Sequence, residues 1–418
     1  MPNPFIRDMI QNIVQERRGI SREFVVESLK SAILDTVRRV WGEDFPMEVE
    51  ILPETGDLNI YVRKRVVRTV QDPRIEISFE EARQLLDRDP VEGEDLRVPF
   101  AFTEFTRGMV KQIQNRFLNR IRNEERQFIY RDFKDQIRAI KRGKVQKVEK
   151  TGLFISLGKV EGFLPQREMI PGERYREGDM IRVMILRVEP NQGRGRGPQI
   201  ILSRTHPDFL KGLLELEIPE ITEGRVQVRA VARRPGERAK VAVWSTEQGI
   251  DPVGACVGPR GTRLHPIQRE LHGERIDVVR YSPDPVEFAA NALSPIIPQI
   301  AYEQGETIIV GVNDDEVSEA KGKEGINVIL ASELVGRRIE VHPFSEVQEP
   351  PDAVSVYELD LSESLRQNLL SARKYVFRDI PPLAELLRVE GMDEGTALRI
   401  LNEIEQKLQQ KRERQATA

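Results

Sequence analysis

Cysteine is almost missing. Cys256 is the single one in 418 residues, so neither an intramolecular disulfide nor a cysteine metal cage is available. It sits in the apolar turn before GPRG and reads as a small core residue, not a nucleophile. Histidine is scarce too: His206, His265, His272 and His342 form no HExxH-type spacing, so neither a metal nor a cofactor is expected. No apolar run approaches the roughly 18 residues that span a bilayer, and MPNPFIRDMI lacks the apolar core of a signal peptide. A cytoplasmic chain without a membrane partner is expected. Catalytic signatures are absent as well, with no nucleophile elbow, no triad and no paired-carboxylate motif, so no enzyme is expected. The GRGRG segment at 193–197 lacks a GK[ST] ending and opens no helix, and reads as a flexible basic hairpin loop.

What is present is charge, unevenly placed. The net charge of −4 conceals about −5 over residues 1–100, +3 over 101–135, +7 over 136–210 and +2 over 211–280, then −7 over 281–345 and −4 beyond. A polyanion would be met by the middle of the chain. Solvated helical faces explain the excess over 101–135 equally well, but not that of the strand-rich 136–210.

Apolar periodicity predicts two helices within residues 4–41, the second capped by Ser21, then a hairpin turning at Glu54 to Asp57 and a short helix opening at Ser78. From Thr103 to about Ile137 the pattern is one basic amphipathic helix of about 30 residues, extending well beyond a compact domain as a connector or docking face. Short strands broken by glycine follow from about residue 142, suiting a small closed barrel. Beyond Glu349-Pro350-Pro351 a linker leads to a tail that reads as a helix-hairpin-helix turning at Val389 to Met392.

The most telling stretch is DPVGACVGPRGTRL, Asp251 to Leu264. Two glycines around two residues, wedged between apolar helical turns, make a tight bend with exposed amides. KH modules bring such a GxxG loop against a sugar-phosphate backbone. Alone, GxxG is usually a mere turn. Here the order recurs: GPRG (258–261), Glu-Leu, Gly273 and RIDV reappear as GKEG (322–325), Glu-Leu, Gly336 and RIEV about 64 residues later. Two tandem domains are expected. Each would follow the helix–strand–strand–helix–helix–strand order of the bacterial (type II) KH fold.

Residues 142–204 resemble the S1 module, an OB-fold. Phe154 and Phe163 take the aromatic positions, with Lys147, Lys150, Arg167 and Arg204 beside them, the combination that stacks bases and holds phosphates. Either ring could equally belong to the core. The family often has a second aromatic at Thr151 and a histidine at Pro165.

LSRTHPDFL (202–210), ELEIPEI (215–221), RRPGERAKVAVWS (233–245), DPVGACVGPRG (251–261) and GERIDVV (273–279) then closely resemble the NusA family of bacterial transcription elongation factors, in order. The resemblance implies a multidomain α+β chain. An α/β RNA-polymerase-binding domain with its long helix would span 1–135, an S1 barrel 136–204, KH domains 205–281 and 282–348, and a linker with helical tail 349–418. It implies a monomeric factor that binds RNA polymerase, nascent single-stranded RNA and other antitermination factors, and modulates pausing, intrinsic termination and antitermination. Carried over residue by residue, the first RNA clamp is Gly258, Pro259, Arg260 and Gly261 with Arg263, over a groove lined by Val257 and Leu264. The second is Gly322, Lys323 and Gly325 with Asn327. There Glu324 and Lys321 depart from the family pattern, which implies weaker RNA binding by the second loop. A KH/S1 subunit in RNA processing or translational regulation is the alternative.

Overall fold

The computed structural model describes residues 4–17, 19–52, 54–86, 88–158, 160–190, 200–247, 249–350 and 352–417, so the GRGRG segment lies outside the described residues. The chain divides into two compact units, one of residues 1–137, 142–164 and 185–202 and one of residues 138–141, 165–184 and 203–418.

At the N-terminus α1 (Pro4–Glu16) is followed by α2 (Arg22–Trp41). Ser21 caps α2 by accepting the Phe24 amide at 3.1 Å. Strands β1 (Met47–Ile51) and β2 (Leu58–Val67) form the expected hairpin. Next come β3 (Glu76–Ser78), α3 (Phe79–Leu85), which opens on a Ser78–Glu81 capping box, and β4 (Asp95–Pro99), antiparallel to β2.

The long helix α4 runs from Arg107 to Phe133, about 40 Å at 1.5 Å per residue. Its stripe of Met109, Ile113, Phe117 and Ile121 is buried in one core with Val25, Ile33 and Val37 of α2. At roughly 1.5–3 kcal/mol for each buried side chain, this seam anchors the helix. It is not a free extension. Arg120 bonds Asp35 at 3.0 Å, Glu125 accepts from Arg17 at 2.6 Å, and a Cβ on Gly19 would fall 2.0 Å from the Phe128 ring.

Strands β5 (Ile140–Glu149), β6 (Gly152–Ser156), β7 (Glu161–Pro165), β8 (Met180–Val188) and β9 (Ile200–Ser203) close a barrel in the order β5-β6-β7-β9-β8. In β6 alternate residues Leu153 and Ile155 are buried, whereas Val183, Met184 and Ile185 of β8 are buried in succession.

Then α5 (Pro207–Glu217), α6 (Pro219–Thr222), β10 (Gln227–Arg234), β11 (Arg238–Trp244), α7 (Pro252–Val257), α8 (Leu264–Glu270) and β12 (Arg275–Arg280) build a sheet β10-β11-β12 in which β11 and β12 are parallel. The arrangement repeats with α9 (Pro285–Ala292), β13 (Ile300–Gln304), β14 (Thr307–Val312), α10 (Val317–Lys321), α11 (Ile326–Val335) and β15 (Arg338–Pro343). The two copies share one core: Leu330, Ala331 and Leu334 of α11 cluster with Ala232, Ala242 and Val279 of the first sheet.

The segment after Pro350 differs from the expected linker. β16 (Val354–Ser355), α12 (Glu363–Ser371), β17 (Val376–Phe377), α13 (Leu383–Leu386) and α14 (Glu394–Thr417) enclose a core of Val354, Leu369, Phe377, Ile400 and Ile404. The turn falls where expected, with Gly391 at φ 77°, but the helix before it has a single turn, so the helix-hairpin-helix is only partial. This module is bonded to the second copy: Arg373 donates to Asn291 at 3.2 Å, and Arg378 to the Glu303 carbonyl at 2.6 Å.

Candidate nucleic-acid interface

Asp251 starts the first loop by accepting the Val253 and Gly254 amides at 3.3 and 2.9 Å, which caps α7. Gly258 ends that helix at φ 70°, ψ 171°, a conformation only glycine adopts freely. Pro259, Arg260 and Gly261 then make one tight turn, closed by the Gly261 amide on the Gly258 carbonyl at 3.1 Å. The second loop is a close backbone copy. Gly322 stands at φ 73°, ψ 174°, and the Gly325 amide bonds the Gly322 carbonyl at 3.0 Å. Each loop holds a non-glycine residue in the left-handed region, Arg260 at φ 53° and Glu324 at φ 54°. That conformation is uncommon for such residues, and its recurrence marks the bend as specified, not incidental.

Pro259, Arg260, Lys323 and Glu324 are exposed at the two tips. Val257 is half-buried at the loop's edge, and Leu264 is a core residue at 6% exposure. Arg263 and Asn327, five residues after each first glycine, tie the loops down from inside. A Cβ on Gly258 would fall 2.9 Å from Arg263 Cγ, and one on Gly322 would fall 3.0 Å from Asn327 Cβ. Arg263 donates to the Ala255 carbonyl and to Glu220 at 2.7 Å, while buried Asn327 donates to the Ala320 carbonyl at 2.8 Å. Asn327 is thereby corrected as a clamp residue, because it is buried and braces the helix that enters its loop; Arg263 braces its helix likewise while a third of its side chain stays exposed. In each loop a glycine five residues ahead of a polar side chain was visible in the sequence, but the direction of that side chain was not.

On the barrel, Phe154 and Phe163 stand with ring centroids 5.0 Å apart at 47°, both half-buried. Lys147 lies opposite Phe154 in the β5–β6 register and pairs with Glu149 at 2.6 Å. Lys150 and Arg167 are exposed. The platform is two rings in contact with Lys147 opposite one of them, fit for stacking.

Arg204 is not part of it. Its side chain is 2% exposed and bonds Glu173 at 2.6 Å and Glu270 at 2.8 Å, with the Arg182 and Glu270 carbonyls filling the remaining donors. A guanidinium with every donor engaged and almost no solvent contact has nothing left for a phosphate. Beside it lies a second pair, Arg233 and Glu274, both fully buried, at 2.7 and 2.8 Å. Glu274 also accepts the Gly236 amide at 2.8 Å. Burial presses the Lys240 ammonium down to about 8, against the pull of Asp277 at 3.3 Å. The Cys256 thiol is pushed up to about 12 by burial. Among the described residues no helix is long and apolar enough to cross a membrane.

A closed five-stranded barrel followed by two KH folds with matching GxxG loops defines a tandem S1–KH–KH nucleic-acid-binding protein. Residues 6–127 match the NusA N-terminal domain, 134–196 the S1 RNA binding domain, 204–281 the NusA-like first KH domain and 285–349 the NusA-like second KH domain. Among curated relatives, the transcription termination/antitermination protein NusA of Bacillus subtilis (strain 168) is 38% identical over 353 residues, 84% of this chain and 93% of that protein. Its counterpart in Halalkalibacterium halodurans is 39% identical over 338 residues, 80% of this chain and 87% of that one. That of Thermus thermophilus is 33% identical over 393 residues, 91% of this chain and all of that one, 100%. The chain belongs to the NusA family of transcription termination/antitermination proteins.

Proposed function

We propose that this chain is a non-catalytic cytoplasmic factor that binds RNA polymerase through residues 1–135 and holds nascent single-stranded RNA on its S1–KH–KH array. By holding the transcript near the enzyme it modulates pausing, intrinsic termination and antitermination, in concert with other antitermination factors. The observation that carries the reading is the first loop: exposed Pro259 and Arg260 between two positive-φ glycines, with Arg260 in no ion pair among the described residues. Its amides and cation suit a phosphate backbone, whereas Glu324 sets a negative charge at the same point of the second loop. We assign RNA contact to Gly258, Pro259, Arg260, Gly261 and Val257, with Phe154, Phe163, Lys147, Lys150 and Arg167 on the barrel side, and a weaker contact to Gly322, Lys323 and Gly325. We take the working divisions as 1–135, 136–204, 205–281, 282–348 and 349–418, in a monomer. In-vitro transcription across a hairpin pause tests the reading. A longer pause with the full chain supports it; an unchanged pause, or co-purification with ribosomes instead of polymerase, refutes it.

A further inference from the structure

The exposed face of α8 and the turn after it carry a row of side chains that the loop reading leaves unused. Leu264, Ile267 and Leu271 turn inward, while His265, Arg269 and His272 are exposed. His265 and Arg269 are one helical turn apart, about 6 Å along the axis. At one end the row meets the loop, since a Cβ on Gly261 would lie 3.4 Å from His265 Nε2. At the other it meets the segment between β7 and β8, where a Cβ on Gly172 would lie 3.3 Å from His272 Nε2. There Arg174, Tyr175, Met180, Arg269 and His272 line an open cleft of about 240 Å³. The cleft's two carboxylates, Glu173 and Glu270, both bond Arg204. Arg174 and Arg269 are exposed and have no carboxylate partner among the described residues. Tyr175 is half-buried there, with the Arg204 guanidinium over one side of its ring, 5.8 Å from the centroid.

We infer that this row is a second phosphate track: single-stranded RNA leaving the GPRG loop continues along His265 and Arg269 into the Arg174–Tyr175 cleft. Two free guanidiniums hold successive phosphates there, the imidazoles of His265 on the helix and His272 in the turn after it donate beside them, and the tyrosine ring stacks a base. The Arg204 network helps by tying both cleft carboxylates to one buried cation, so that with Arg174 and Arg269 the charges of the cleft sum to +1. The track extends the bound length beyond the roughly four nucleotides that one KH loop clamps. It rests on the reading of the first loop as an RNA clamp.

The test compares Arg174→Gln/Arg269→Gln with Pro259→Asp/Arg260→Asp, each in the full chain. Affinity is measured for an oligoribonucleotide of roughly four nucleotides and for one about three times as long. All four substituted positions are exposed, so folding is undisturbed, and thermal melting checks this. The track predicts that the Arg174/Arg269 variant binds the short oligomer as the parent does. It loses roughly ten- to thirtyfold for the long one at low salt, with a salt slope shallower by about 1.4. Arg174→Lys/Arg269→Lys restores the slope. Unchanged long-oligomer affinity and slope, alongside clear loss in the loop variant, overturn the track and leave the loop standing. No loss in the loop variant overturns the loop reading and the track with it.

Discussion

Arg260 and Glu324 occupy the same point of two superposable loops, at φ 53°, ψ 30° and φ 54°, ψ 21°, and differ in the sign of their charge. With the backbone held constant, charge at the tip separates the two sites. Arg260→Glu should weaken single-stranded RNA binding and flatten its salt dependence by about 0.7 or more, whereas Glu324→Arg should strengthen and steepen it. Fluorescence anisotropy across a salt series reads both.

The two glycines of the first loop are needed for different reasons. Gly258 combines φ 70° and ψ 171° with a close approach to Arg263, so Gly258→Ala strains the loop even without RNA. Gly261 has φ 75° but only ordinary contacts around a Cβ. Gly258→Ala should therefore lower stability by roughly 2–3 kcal/mol, and Gly261→Ala by about 1 kcal/mol. Urea denaturation distinguishes them. Loss of RNA binding on changing Gly258 thus mixes folding with contact, and Pro259 and Arg260 are the cleaner positions to alter.

The sequence made the local devices legible, because each is written within a few residues. The Ser21 cap, the helix start at Ser78 and the GxxG bends depend on neighbours alone. Arg204 misled for the opposite reason. Its partners Glu173 and Glu270 stand 31 and 66 positions away, and an arginine beside an aromatic strand face looks the same whether buried or free. The proline-flanked stretch after Glu349 suggested a linker, but its Val354, Val356 and Leu359 are fully or nearly fully buried in one core with residues of α12 and α14. Likewise α4 read as a connector since nothing local reveals Gly19 beneath Phe128.

The buried Arg233–Glu274 pair makes a sharper stability prediction than any surface ion pair. Arg233→Met leaves Glu274 buried with one amide partner and should lower stability by about 3–5 kcal/mol. Adding Glu274→Gln removes the uncompensated charge and should recover much of that loss. A thermal-melting double-mutant cycle measures the coupling.

Cys256 should be silent in the folded chain. The side chain is fully buried and its thiol is pushed up to about 12, so almost no thiolate exists at pH 8. Iodoacetamide should label it slowly in the native state and at the rate of a free cysteine in urea. Because the raised value favours the protonated fold, this group's contribution to stability is present below pH 9 and declines as pH rises from there towards 12.

Pause lifetime at an RNA hairpin, in single-round transcription with the parent chain and with Pro259→Asp/Arg260→Asp, tests most directly whether the first loop's hold on RNA carries the activity. The loop variant keeps both glycines, and aspartate tolerates the left-handed conformation at position 260, so the bend survives while its charge is reversed. The parent should lengthen the pause and the variant should lengthen it far less while still binding polymerase. Equal lengthening by both would contradict the account.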